Sequence, residues 1–359
     1  MKKILFITNG HGEDLVAAEI IKKLSGKVEV SVLPIVGEGK PFESLQVKVL
    51  GPRKKLPSGG FSLRNLWYLA KDLYAGLIGN RFEQIRILKK FKGKFDLVVA
   101  IGDIVPIIGA LKVKAPLIFV GVNKSSYYRW FGYNYTSWEK LLLRKHALKV
   151  YVRDKATEQD LKNRRIKVKS AEYVGNPLMD CFQYAPRPSP HVPVSIGFLP
   201  GTREDAKLNL EDFEKIVEEI IEMKDPDIQL EFMIATTLQN IPEYMENKSF
   251  ADVLAQSDLI IGLSGTGNEQ AAGSGKPVIS FYGRGSQYNK RFAKAQKQLL
   301  GEALLLVRHR DPLSVAAEVW QLLRNPAKIE YMGKAGKERM GSTGAIGKIA
   351  EYISTIVKK

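Results

Sequence analysis

The chain has 359 residues and a mass of 40.2 kDa, with 45% apolar and 26% charged residues. These proportions exclude a disordered, collagenous or disulfide-stapled polypeptide, and the length fits two domains at about 150 residues each. The formal net charge of +17 lies wholly in the first half: residues 1–180 hold 33 Lys+Arg against 16 Asp+Glu, residues 181–359 hold 22 of each.

A single cysteine, Cys181, makes no internal disulfide, and His11, His146, His191 and His309 stand at no metal-ligand spacing. No metal site is expected, and a reducing cytoplasm is. Nothing in the chain predicts a membrane span. The longest apolar stretch, Leu97 to Leu111, carries Asp103 and Pro106 and falls short of the ~20 residues required. Ile4 to Thr8 is too short for a signal-peptide core.

In chain order, Ile4 to Thr8 reads as a buried strand, Asn9-Gly10-His11-Gly12-Glu13-Asp14 as a glycine turn, and Leu15 to Leu24 as a helix. A strand over Val28 to Leu33 completes a β–turn–α–β opening. Further strands are expected at Leu97–Ile101, Leu117–Val120 and Lys149–Val152. Residues 183–193 include APRPSPHVP, four prolines in nine positions, and read as a linker. The pattern then restarts: strand Val194–Leu199, turn Pro200–Glu204, helix Leu210–Met223, strand Leu230–Ala235, helix Phe250–Gln256 and strand Leu259–Gly262. A second glycine turn, helix Glu269–Gly273 and strand Val278–Tyr282 follow. An amphipathic helix over Ala345 to Val357 ends the chain. The expected fold class is α/β: two Rossmann-like parallel-sheet domains facing an interdomain cleft, with ligands at the carboxyl ends of the strands.

Three stretches point to chemistry. Ser264-Gly265-Thr266-Gly267 follows a strand and opens a helix, so its backbone amides and hydroxyls suit a phosphate. The same residues also suit a plain capped helix start. Pro200-Gly201-Thr202-Arg203 ends another strand of that domain, where a guanidinium suits a diphosphate; the two turns together favour an anion site. In the first domain, Asp103 ends a buried strand and is placed to act as a general base, with His11 and Asp14 beside the glycine turn. Helix capping is the alternative role for both aspartates.

Residues 53–94 interleave Arg64, Lys71 and Arg81 with Trp67 and Tyr74 at helical spacing, and Tyr127 to Phe131, including Trp130, has the same character. Such a face suits an anionic membrane surface, while a core helix with solvated lysines carries the same pattern. No nucleic-acid module is present, so nucleic acid is not expected.

These motifs together resemble lipid-A-disaccharide synthase, and more closely the group of proteins related to it. NGHGEDLVAAE (Asn9 to Glu19) is similar to that group's opening loop. Tyr173 to Leu178 resembles VGHPL, with Asn176 in the histidine position. Phe198 to Arg203 resembles LLPGSR, and Ser264 through Pro277 its SGT…P block; Gln270 stands where the synthase has a donor-site glutamate, with Glu269 one place earlier.

The resemblance implies a GT-B glycosyltransferase. Residues 1–182 with about 342–359 would form the acceptor domain, and 194–341 the nucleotide-sugar domain. Gly201, Thr202, Arg203 and Ser264 to Gly267, with Glu269 and Gln270, would hold a UDP-sugar. Asp103 would deprotonate an acceptor hydroxyl, beside the loop of Asn9, Gly10, Gly12 and Glu13. The partners implied are a UDP-sugar as donor substrate, a lipid acceptor and an anionic membrane; no cofactor is implied. The expected location is cytoplasmic, peripheral at the inner membrane face, and the resemblance admits a homodimer. A UDP-N-acetylglucosamine 2-epimerase-like enzyme shares the serine–glycine turn and Gly275-Lys276-Pro277. A non-catalytic nucleotide- or lipid-binding scaffold is the reading from outside the enzymes.

Overall fold

The computed structural model describes residues 1–24, 26, 28–36, 39–51, 86–128, 134–182, 192–202, 204–223, 225–285 and 287–358. Outside these lie most of the expected linker, together with Arg64, Trp67, Lys71, Tyr74, Arg81, Trp130 and Arg203. The chain divides into two compact units, Met1–Cys181 with Thr343–Lys359, and Phe182–Ser342.

Unit 1 contains β1 (Lys2–Thr8), α1 (His11–Lys23), β2 (Val28–Pro34), β3 (Lys48–Val49), β4 (Leu97–Ile101), α2 (Ile104–Val113), β5 (Leu117–Gly121), α3 (Ser137–His146), β6 (Ala147–Val152), α4 (Lys155–Asn163) and β7 (Ala171–Glu172). Among the described residues the strands form one parallel sheet in the order β3-β2-β1-β4-β5-β6-β7. Its central strands are apolar on both faces because both are covered, as parallel sheets require. Ile4 and Phe6 of β1 face one core with Leu97, Val99 and Ile101 of β4; Leu5 and Ile7 face the other with Val98 and Ala100. Strand order reverses direction between β1 and β4, which opens a crevice at their carboxyl ends.

Unit 2 repeats the plan with β8 (Val194–Leu199), α5 (Ala206–Glu222), β9 (Leu230–Ile234), β10 (Met245–Asn247), α6 (Phe250–Gln256), β11 (Leu259–Gly262), α7 (Gly265–Gly273), β12 (Val278–Ser280), α8 (Lys290–Leu300), β13 (Leu304–Leu306), α9 (Pro312–Leu323) and α10 (Pro326–Met340). The parallel order is β10-β9-β8-β11-β12-β13, and the reversal falls between β8 and β11. The last helix, α11 (Ala345–Lys358), belongs to unit 1. Ile346, Ile349, Ala350 and Ile353 join the α1 side of that core, and both oxygens of Asp180 accept from the amides of Gly344 and Ile346 at 2.5 and 2.7 Å.

Some boundaries differ from the sequence expectation. Helix α7 begins at Gly265 rather than Glu269, because the Ser264 hydroxyl accepts from the Gly267 amide and starts the helix four residues earlier. Helix α5 begins at Ala206 rather than Leu210, and β12 ends at Ser280 rather than Tyr282.

Candidate functional site

In unit 1 the polar residues gather where β1 and β4 end. Thr8, the last residue of β1, donates its hydroxyl to Asp14 Oδ1 at 2.5 Å. The Asn9 amide lies 3.1 Å from each oxygen of Asp103. Asp103 Oδ1 also accepts from Val105 N–H at 2.9 Å, so this side chain is the N-cap of α2. Both roles read for Asp103 from the sequence are thus compatible: the bonds that cap the helix also fix the carboxylate at the crevice. Burial raises its pKa above the ordinary carboxylate value, against the lowering by the Val105 amide and the positive charge of Lys124.

Glu13, read from the sequence only as part of the glycine loop, is the more perturbed group. It is 4% exposed, and the Asn123 amide donates to its Oε1. Burial pushes its carboxyl up to about 8, and the charges of Asp103 and Asp14 push the same way. Gly102, at φ 126°, makes room for it: a Cβ there would stand 3.2 Å from Glu13 Oε1. Asp14 is fully buried, and burial lifts it to about 7. With its carboxyl raised to about 8, Glu13 keeps its proton at neutral pH, and the charge of Asp103 contributes to that rise. Gly10 and Gly12 flank this loop, and His11 lies exposed on the first turn of α1.

Lys124, absent from the sequence reading, stands behind Asp103. Its ammonium pairs with Glu139 at 2.7 Å, and both are buried. Glu139 is held in turn by Thr136, whose amide and hydroxyl each reach it at 2.8 Å in a capping box. The Thr136-Ser137-Trp138-Glu139 spacing is a capping-box signal that could have pointed to the Thr136–Glu139 contact, though it was not read from the sequence.

In unit 2 the turns after β8 and β11 lie side by side, since these strands are neighbours and Leu263 N–H donates to Leu199 O at 2.9 Å. Gly201 has φ 84°, and Thr202 is exposed. Ser264 and Gly265 are half-buried, Thr266 is exposed, and Gly267 is buried at the start of α7. The helix dipole and first-turn amides favour an anion at that end. Glu269 and Gln270 are buried deeper in the same helix, at 8% and 3% exposure.

Beneath the turn runs a buried network that sequence reasoning did not anticipate. The Asn268 amide nitrogen lies 3.0 Å from Gly262 O, 3.2 Å from the Tyr288 hydroxyl and 2.9 Å from Gln296 Oε1. Gln296 Nε2 donates to the carbonyls of Ser264 (3.2 Å) and Gly265 (2.7 Å), and Ser280 Oγ donates to Gly262 O at 2.6 Å. Gly262 is required by close approach: a Cβ would stand 1.9 Å from Asn268 Oδ1. The network fixes the turn from below through the carbonyls of Gly262, Ser264 and Gly265. Asp205 anchors the loop after β12 by accepting from Gln287 N–H at 2.8 Å.

Among the described residues no group of His, Cys, Asp or Glu is arranged to hold a metal ion, and no helix is long and apolar enough to cross a membrane.

Neither a protein-family model nor a curated protein sequence matches the chain. Solved structures do resemble it along its whole length. The Staphylococcus aureus MnaA–UDP co-structure is 17% identical with a TM-score of 0.66, covering 100% of this chain and 97% of that one. A putative UDP-N-acetylglucosamine 2-epimerase from Listeria monocytogenes is 15% identical with a TM-score of 0.67, at the same coverages. CalG4, the calicheamicin glycosyltransferase, is 15% identical with a TM-score of 0.64, covering 100% and 99%. With its two parallel α/β sheets, the chain has the GT-B fold.

Proposed function

We propose that the chain is a UDP-sugar glycosyltransferase akin to lipid-A-disaccharide synthase, moving a sugar to a hydroxyl of a lipidic acceptor. The donor sugar is an N-acetylhexosamine or an acylated glucosamine. The observation that carries the reading is the Asp103–Glu13 pair in unit 1: a base held in place by Asn9 and Val105, next to a protonated buried acid. Asp103 takes the proton of the acceptor hydroxyl, whose oxygen attacks the anomeric carbon as the bond to the UDP oxygen breaks. Its raised pKa makes it a stronger base than an exposed carboxylate. The leaving diphosphate is met in unit 2 by the α7 amino end, the Ser264 and Thr266 hydroxyls and, on the sequence pattern, Arg203. A UDP complex and a glycosyltransferase among the solved structures of this fold support the donor assignment.

A second reading, a 2-epimerase, is favoured by Glu269 ahead of Gly275-Lys276-Pro277 and by the epimerase among those same structures. The two separate in one assay. Purified protein is given UDP-N-acetylglucosamine in deuterated buffer, with and without a bacterial lipid extract. A transferase releases UDP only when lipid is present. Epimerisation without lipid, with deuterium entering at C2, would favour the second reading. In the transferase, Asp103→Asn loses at least about 100-fold in turnover while UDP binding persists. Binding without turnover under any condition would leave only the scaffold.

A further inference from the structure

In unit 2 the last turn of α5 and the amino ends of β9 and β10 border a cavity of about 520 Å³. Its floor is apolar, formed by Ile220 of α5, Leu230 and Phe232 of β9, and Trp320 of α9. The Trp320 ring is fixed there by its indole N–H, which donates to Ile220 O at 3.2 Å. Ile221 stands at the mouth, 47% exposed. The glycine turns follow the opposite, carboxyl ends of β8 and β11, and the cavity shares no residue with them.

The rim is acidic. Glu231 comes from β9, Glu246 from β10 and Glu243 from the segment before β10. Tyr244 stands with them; burial raises its hydroxyl above the ordinary value, and the charges of Glu214 and Glu218 on α5 push the same way. Part of this negative charge is met within the chain: Lys248 pairs with Glu246 at 2.9 Å, and Glu231 accepts from the Ser195 hydroxyl. Among the described residues no cation pairs with Glu243, which is exposed. Arg324 lies 5.5 Å from the centre of the Trp320 ring, but its charge is taken by Asp225 at 3.0 Å.

We propose that this cavity binds a linear polyamine, its methylene chain lying on the apolar floor and its ammonium groups meeting Glu231, Glu243 and Glu246. Its volume falls within the roughly 300–1,000 Å³ of small-molecule sites. A long aliphatic cation buries its methylenes on apolar surface while its charged ends stay at the wet edge, as lysine side chains do. A bare divalent cation suits the cavity less: among the described residues no carboxylates are grouped to hold a metal ion. The charge complementarity is local. The whole chain carries +17 and repels polycations, whereas the half that holds the cavity has 22 charges of each sign. The site does not depend on the reaction assigned to the glycine turns.

The test titrates the full chain with spermidine in a calorimeter, at about 0.1 M and about 1 M salt, where screening lengths are about 10 and about 3 Å. Saturable binding of one spermidine per chain is expected, weakened by salt. Glu243→Gln/Glu246→Gln should bind at least about tenfold more weakly, because two of the three rim charges are gone. Ile221→Ser should bind about threefold more weakly, since it removes apolar surface at the mouth while leaving every charge in place. All three side chains are exposed, so the melting temperatures of both variants should match the parent. Magnesium chloride at equal charge should not displace spermidine, since it has no methylene chain to place on the floor.

Absence of saturable binding at the lower salt would overturn the assignment. So would a double variant that binds like the parent, since spermidine would then sit elsewhere in the chain. Displacement by magnesium at equal charge, with Ile221→Ser unchanged, would reduce the site to exposed carboxylates and remove the cavity from the account. A parent that runs as an oligomer on gel filtration, and that Ile221→Ser converts to a monomer, would make this face an interface between copies instead.

Discussion

Glu13 and Asp14 are adjacent on α1, and burial lifts their carboxyls to about 8 and about 7, from ordinary values of 4.5 and 3.8. Between those values the folded chain keeps protons that the unfolded chain releases. Rising pH therefore draws the equilibrium toward the unfolded state, by up to about 1.4 kcal/mol per pH unit for each group. This contribution to stability is fully present below pH 4 and is lost as pH rises through the folded values. The melting temperature should accordingly fall between pH 5 and 8, and Glu13→Gln should reduce that slope. Melts of the two proteins across that range check it; an unchanged slope would show that Glu13 ionises freely in the folded chain. Asp103 was legible in the sequence because a carboxylate following five buried apolar residues faces the end of a strand. Glu13 and Lys124 were not singled out for chemistry. Glu13 owes its raised carboxyl first to burial, and Lys124 is held by an ion pair with Glu139, fifteen residues on; no local pattern reports either.

The elements that carry the donor side are β11 and α7, joined by a turn with a hydroxyl at its cap. Ser264→Ala removes the bond to Gly267 and should cost about 1 kcal/mol in denaturant melts. On the proposed reading it should weaken UDP binding as well, because the same hydroxyl is assigned to the diphosphate. Gly262→Ala is expected to be worse, on the order of 1–3 kcal/mol, since the new methyl group displaces Asn268 from its network. A Gly262→Ala protein with parental stability would show that the network does not hold the turn. The long strands and the glycine turns were readable from continuous apolar runs and turn residues. Strands β3, β7, β10 and β13 have two or three residues each, too few for a period, and only pairing with a neighbour defines them. The network beneath α7 escaped for a related reason: Asn268, Ser280, Tyr288 and Gln296 come from three elements and a loop, with no spacing that marks polar residues meeting in a core.

Across the molecule the two units repeat one solution: a parallel sheet whose strand order reverses once, with polar turns gathered at the reversal. In unit 1 the reversal collects carboxyls and a buried lysine, in unit 2 glycines and hydroxyls at a helix amino end. The net charge belongs to the first half alone. The central claim is that unit 2 holds a uridine nucleotide at its glycine turns. Thermal unfolding with UDP, UDP-N-acetylglucosamine, UDP-glucose, GDP, CDP and ADP, repeated on Arg203→Ala, tests it most directly. Saturating ligand at 100 times its dissociation constant stabilises a protein by about 2.7 kcal/mol. The account predicts that shift for uridine nucleotides alone, and its loss in Arg203→Ala; no shift with any nucleotide would contradict it.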